Sequence, residues 1–122
     1  MNRGLAVALI LLALVATLLC AEYAMIADAV AENAAVIEAM NEEEPPSLSE
    51  LSHARAVFEE NRFLFSVSVP LSYIDEYERN LRYMESAILT QNADYYVRAR
   101  LGALAALAQI RKTALFSPEQ LF

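Results

Sequence analysis

Gly4-Leu-Ala-Val-Ala-Leu-Ile-Leu-Leu-Ala-Leu-Val-Ala-Thr-Leu-Leu-Cys20-Ala21 decides how this chain is read. Residues 4–21 carry no charge, and their only hydroxyl is that of Thr17. As an α-helix rising about 1.5 Å per residue they span roughly 27 Å, close to the hydrocarbon thickness of a bilayer. A helix in a soluble core keeps a polar stripe, and this one has none. A retained signal anchor and a cleaved signal peptide both begin this way. Cleavage after Ala21 would place Leu19 at −3, where a small residue is needed. Leu19 also precedes Cys20, where a lipoprotein site needs a small residue. The expectation is therefore a retained anchor, with Cys20 as a small lipid-facing residue.

Charge orients the span. Arg3 is the only basic residue before Arg55, whereas Glu22, Asp28, Glu32 and Glu38 follow the apolar run. The positive-inside rule then puts residues 1–3 in the cytoplasm as a short tip, residues 4–21 across the cell membrane in a single pass, and residues 22–122 outside. No cysteine occurs in that outer part, which suits an oxidising compartment.

The whole chain has 122 residues, 57 % hydrophobic and 20 % charged, with a net charge of −7. That length allows one domain beyond the span. One cysteine and one histidine exclude a disulfide framework and a thiolate or His-rich metal site. The negative charge argues against nucleic acid as a partner, since phosphate binding needs a basic face.

Residues 22–50 hold eight acids and no Lys or Arg, while residues 51–122 hold eight of each sign. From Glu22 to Glu43 there is no Gly or Pro and much alanine, so the spanning helix is expected to continue as an acidic stalk. Within it Tyr23, Ile26, Val30, Ile37 and Met40 recur at spacings of 3, 4, 7 and 3, with Asn33 in the missing position. That is a heptad seam, and these five residues are the candidate partner-binding residues. The seam could join another envelope protein or a second copy of the chain. The alternative is an amphipathic helix that packs on its own domain.

Pro45-Pro46 ends the stalk, giving a division into residues 22–46, stalk and proline hinge, and residues 47–122, an extracytoplasmic helical domain. Ser47-Leu48-Ser49-Glu50 reads as a capping box. The helix behind it buries Leu48, Leu51, Ala54 and Phe58. Residues 63–69 alternate like a strand, but no second strand exists to pair with them, so they are read as helix up to Pro70. Ile74, Tyr77, Leu81, Met84 and Ile88 keep 3-4-3-4 spacing on the next helix, with Glu78 and Arg82 as an i, i+4 pair. A polar turn at residues 90–94, capped by Asn92 or Asp94, leads to a last helix from about Ala93 to Ala114. Its expected apolar face is Val97, Leu101, Leu104, Ala108 and Leu115. Ala99, Gly102, Ala103 and Ala106 form a small-residue stripe that allows a neighbour to approach closely. Ser117-Pro118-Glu119 caps a final turn carrying Leu121 and Phe122. The fold class is all-α: a transmembrane helix, a helical stalk and a small antiparallel bundle.

The segment Ile74-Asp75-Glu76-Tyr77-Glu78 and the closing Leu115-Phe116-Ser117-Pro118-Glu119-Gln120-Leu121-Phe122, placed behind an N-terminal apolar span and a middle helix, resemble a family of small, uncharacterised, N-terminally membrane-anchored proteins of spore-forming, clostridia-like bacteria, a domain of unknown function. The resemblance covers roughly the whole length. It implies a location and an architecture without an activity. That family often has a His before the acidic stretch; here the chain reads Pro70-Leu71-Ser72, so no role for that His transfers.

Catalytic chemistry finds little footing. Glu50-x-x-His53 matches one half-element of a di-iron bundle, but a second His is lacking, so Glu50 is read as a capping residue. Glu42-Glu43-Glu44 lacks the spaced oxygens and turn glycine of a calcium loop. Ser66, Ser68 and Ser72 have no neighbouring base in sequence. Tyr73, Tyr77, Tyr83, Tyr95 and Tyr96 gather around the hairpin as core and rim packing. No catalytic, cofactor-binding or metal-ligating residues are assigned. The expected function is a non-enzymatic accessory or scaffolding partner of another envelope protein, anchored in lipid through residues 4–21. The alternative is a secreted helical binding or chaperone-like module released by cleavage.

Overall fold

The computed structural model describes residues 3–114. Four α-helices follow one another: α1 Arg3–Glu38, α2 Leu48–Ser68, α3 Leu71–Thr90 and α4 Ala93–Thr113. No strand occurs among the described residues, and residues 63–68 are the last turns of α2. The turn expected at residues 117–122, and Leu115, lie outside the described residues.

Helix α1 packs against α2 and α4, α2 against α3, and α3 against α4, which closes a ring of four antiparallel neighbours. Two-residue connections at 69–70 and 91–92 force that arrangement. Polar contacts fix the register at both ends. Ser68 Oγ donates to Glu22 Oε1 at 2.5 Å, tying the end of α2 to α1 just past the apolar run. At the far end the Tyr96 hydroxyl donates to the Asn41 carbonyl at 2.5 Å. The bundle therefore begins where the apolar run stops. Residues 3–18 of α1 project from it exposed, and Leu19 is the first to be partly covered by the bundle.

This corrects the expected division at Pro45-Pro46. Residues 22–38 of α1 form the first helix of the bundle, Met40 is buried just past its end, and the proline pair is a turn inside one folded unit. Ile26, Ala29, Val30, Asn33 and Ile37 are all buried in the same core as Phe58, Tyr77, Met84 and Leu107. Helix α1 also ends earlier than the sequence suggests, at Glu38 rather than near Glu43. The Met40 amide bonds to the Ile37 carbonyl at 3.1 Å, and Asn41 Oδ1 accepts the amides of Glu43 and Glu44 at 2.8 and 2.9 Å. This Asx turn satisfies backbone groups that would otherwise extend the helix.

The caps follow the sequence. Ser47 accepts the Glu50 amide at 3.3 Å, and Asn92 accepts the Tyr95 amide at 3.1 Å. Gln91 ends α3 in the left-handed region (φ 53°), and the Asn92 amide reaches back to the Ala87 carbonyl at 3.0 Å. This is the geometry of a Schellman C-cap. Arg111 and Lys112 occupy the last turn of α4, where they complement its dipole.

The face of α4 differs from the expected one. Leu101 is 56 % exposed, Ala108 is exposed, and Val97 and Leu104 are half-buried. Tyr96, Ala99, Ala103, Ala106, Leu107 and Ile110 form the buried face instead. Leucines at 101, 104 and 107 point around the helix, so periodicity alone does not choose among them. The bulky inner face of α3, with Ile74, Tyr77, Leu81 and Met84 all buried, chooses the alanines. Small residues opposite large ones let two helices interdigitate at close range. On α2, Leu51, Ala54 and Phe58 are buried as expected, whereas Leu48 is exposed; on α3, Ile88 is half-buried.

Gly102 marks the closest approach. A Cβ there would overlap Asn80 Oδ1 and lie 2.9 Å from Asn80 Cγ. Asn80 is itself held by a bond from its Nδ2 to the Glu76 carbonyl at 2.9 Å. Gly102→Leu should therefore destabilise the domain by about 1–3 kcal/mol through overpacking. Adding Asn80→Ala should recover part of that loss, because the obstacle is a side chain. Thermal melts of the two single variants and the double variant measure the coupling; equal losses with and without Asn80 would mean that Gly102 meets something else.

Candidate interaction surfaces

Of the five candidate partner-binding residues, Ile26, Val30, Ile37 and Met40 are buried in the bundle and Tyr23 is half-buried against it. Asn33, in the gap of the heptad, is also buried, with its Nδ2 donating to the Ala29 carbonyl at 2.8 Å. The seam is real as a helix face, but α2 and α4 fill it. The alternative weighed from sequence, an amphipathic helix packed on its own domain, describes what this face does. A heptad has the same 3-4 spacing whether its partner belongs to another chain or to the same one.

The aromatic side chains divide between core and rim. The Phe58 ring centroid lies 5.1 Å from that of Tyr77 and 6.0 Å from that of Phe65, and the Arg62 guanidinium sits 5.5 Å from the Phe58 centroid. Tyr83 and Tyr95 meet across the α3–α4 hairpin at 5.9 Å. Burial pushes the pKa of the Tyr77 and Tyr96 hydroxyls above the ordinary tyrosine value. For Tyr96 the Glu50 carboxylate adds to the rise, and the Arg100 cation opposes it. Both hydroxyls are therefore neutral at physiological pH, and Tyr96 serves as a hydrogen-bond donor to Asn41.

Ion pairs staple α2 to α3. Arg62 Nη1 and Nη2 both donate to Glu78 Oε1, at 2.8 and 2.5 Å, and Arg55 pairs with Glu85. The expected Glu78–Arg82 pair within α3 is replaced by this inter-helix bond. Sequence spacing reports only intrahelical neighbours, so neither staple was legible from it. These pairs are partly exposed, where each is worth about 0–1 kcal/mol.

His53 and Glu50 are exposed on α2 and line an open groove of about 490 Å³ with Ser49, with Ala35 and Val36 of α1, and with Ala39 and Met40 just past the end of α1. A second groove, about 420 Å³, runs between α1 and α4 from Glu38 to Tyr23, with Arg111 and Lys112 at its Tyr23 end. No group of three or more His, Cys, Asp or Glu side chains suited to a metal occurs among the described residues. Ser68 is buried and donates to Glu22; Ser66 is exposed and donates to the Phe63 carbonyl at 2.8 Å. Ser68 thus meets a carboxylate on α1, and Ser66 meets only its own helix backbone. Cys20 is exposed on the projecting part of α1. Apart from the apolar run, the large exposed apolar residues at the end of the bundle from which that run projects are Met25, Phe63, Val67 and Leu71.

That placement leaves the apolar run of α1 uncovered: the helix is long and apolar enough to cross a membrane, and none of its most apolar window is buried. No family model matches the chain, and neither a curated protein nor a solved structure matches it.

Proposed function

We propose that this chain is a non-enzymatic, single-span membrane protein whose four-helix domain stands on the outer surface of the cell membrane as an accessory or scaffolding partner of another envelope protein. The observation that carries the reading is the uncovered run from Gly4 to Ala21. Eighteen apolar residues left in water would cost far more than a domain's net stability can offset, so they require lipid. Residues 22–114 form a packed four-helix bundle. The inner face of α1 is used within the domain, so a partner would meet the intramembrane face of α1 or the outer faces of the bundle.

Arg3 on one flank and Glu22, Asp28, Glu32 and Glu38 on the other support an N-in orientation. Glu42, Glu43 and Glu44 form an exposed loop at the far end of the bundle. A glutamate-specific protease added to intact cells stripped of their wall should cut there and release a membrane-bound fragment. Cutting only after the membrane is permeabilised would overturn the orientation. Arg3→Glu combined with three lysines inserted after Ala21 should weaken or invert it.

A second reading has one observation in its favour. The run lies near the N-terminus, as a signal peptide does, and the bundle starts at Glu22, so cleavage after Ala21 would leave all four bundle helices in place. Mass spectrometry of the mature N-terminus separates a secreted helical module from an anchored one. Pull-down after crosslinking in membranes tests for the envelope partner.

A further inference from the structure

The end of the bundle from which the span emerges is more apolar than its surroundings require. Phe63 and Val67 lie one turn apart on the outer face of α2, 79 % and 55 % exposed, and Leu71 opens α3 at 64 % exposed. Single exposed apolar residues are ordinary; three within nine positions at one corner form a patch. We propose that this α2–α3 corner docks into the headgroup region of the bilayer, so that the domain lies against the membrane surface instead of standing clear of it. The proposal rests on the anchored reading above.

Continuity of α1 supplies the argument. The helix runs unbroken from Arg3 to Glu38, with no proline and no glycine after Gly4. Nothing between span and bundle can act as a spacer. Ser68 bonds to Glu22, the first residue after the apolar run, which sets the α2–α3 corner level with the membrane boundary. Val67 and Leu71 lie within three residues of Ser68, and Phe63 lies five residues away. At about 1.5 Å per helical residue, the corner falls within the roughly 5–7 Å headgroup layer on each side of the hydrocarbon.

The surrounding chemistry suits that layer. Tyr23 and Tyr73 are half-buried at the same end, and tyrosine favours membrane–water interfaces. Arg111 and Lys112 line the groove beside Tyr23, within reach of lipid phosphates. Glu22, the acid nearest the bilayer, accepts a hydrogen bond from Ser68 and is only partly exposed, so its charge is turned toward the protein.

The test uses the full chain in phosphatidylcholine–phosphatidylglycerol vesicles, with Cys20→Ser and one environment-sensitive fluorophore on a new cysteine. Reporters at Ser66 and Ser72 flank the patch without replacing it; Thr90 reports the far end and Leu12 the span. Quenchers are spin labels attached to lipid headgroups, spin labels deep in the acyl chains, and aqueous iodide. The Ser66 and Ser72 reporters should lose emission to headgroup quenchers and resist iodide, Thr90 should do the reverse, and Leu12 should respond to deep quenchers. Phe63→Ser, Val67→Ser and Leu71→Ser together should return the corner reporters to the Thr90 pattern. These three residues are exposed, so the bundle should keep its melting temperature. If Leu12 escapes deep quenching, the anchored reading and this proposal fall together. If Leu12 is quenched while the corner behaves like Thr90, only the docking is overturned. Shielding of the corner from both iodide and lipid quenchers would mean that a protein covers it, which also overturns the docking. So would lipid quenching that the triple substitution leaves unchanged.

Discussion

Ile26→Asp combined with Val30→Asp should unfold the entire helical domain, including α2, α3 and α4. Both side chains are buried among the core residues of the bundle. Each substitution removes a large apolar group, costing about 2–5 kcal/mol, and places a carboxylate where no cation is provided. The pair together should approach or exceed the roughly 5–15 kcal/mol that holds a typical domain. Circular dichroism of the full chain in detergent should lose most of its helical signal and its cooperative melt, with the helicity of the apolar run at residues 4–21 remaining. Met25→Asp, on the exposed side of the same helix, should change little. If the double variant kept a folded, cooperatively melting domain, residues 22–40 would be a free stalk after all, and their seam would be available to a partner. The same physics predicts that residues 47–122 alone should not fold tightly, because α2 and α4 would each present an uncovered apolar face where α1 belongs.

A comparably large effect should separate two leucines that look equivalent in sequence. Leu107 is completely buried, whereas Leu101, nearly two turns earlier on α4, is 56 % exposed. Leu107→Ala should cost about 2–5 kcal/mol, since it leaves a cavity in a closely packed interior. Leu101→Ala should stay within about 0.5 kcal/mol, because surface substitutions away from caps and networks rarely do more. Denaturant midpoints for the two variants give the comparison directly. Equal losses would show that α4 is rotated about its axis relative to the packing described above.

Much of the fold was legible because it depends on neighbours in sequence. Helix boundaries followed from Ser47 as a cap, from the proline at position 70 and from the polar turn at residues 90–94, where Asn92 and Asp94 both offered a cap and the structure uses Asn92. The inner face of α3 followed from an unbroken 3-4-3-4 spacing, since polar residues surround Ile74, Tyr77, Leu81 and Met84 and leave one possible apolar side. The apolar run at 4–21 identified itself by length and lack of charge. On α4 the same method turned Leu101 and Ala108 inward although both are exposed, while the small-residue stripe of Ala99, Gly102, Ala103 and Ala106 does meet a neighbouring helix. Apolar residues occur all round that helix, and the choice between leucines and alanines is made by the bulk of the facing helix, which no local window contains. Gly102 was a partial signal: a glycine inside a helix hints at close approach, though only the packed structure identifies Asn80 as the neighbour.

The partner-binding residues illustrate the limit most sharply. The spacing of Tyr23, Ile26, Val30, Ile37 and Met40 determined that this part of α1 has one apolar face that must be covered. Sequence alone determined as well that the fold is all-α, that its first helix is long enough to cross a bilayer, and that Ser47 caps α2, because each of these is a property of residues within a few turns of one another. Tertiary structure decided what covers that face. The α1–α2 connection lets the chain fold back, Ser68 meets Glu22 at one end, and Tyr96 meets Asn41 at the other. Those pairs lie 46 and 55 residues apart in the chain. Burial of the seam therefore depends on the closure of the four-helix ring, which sets which distant faces meet and at what height.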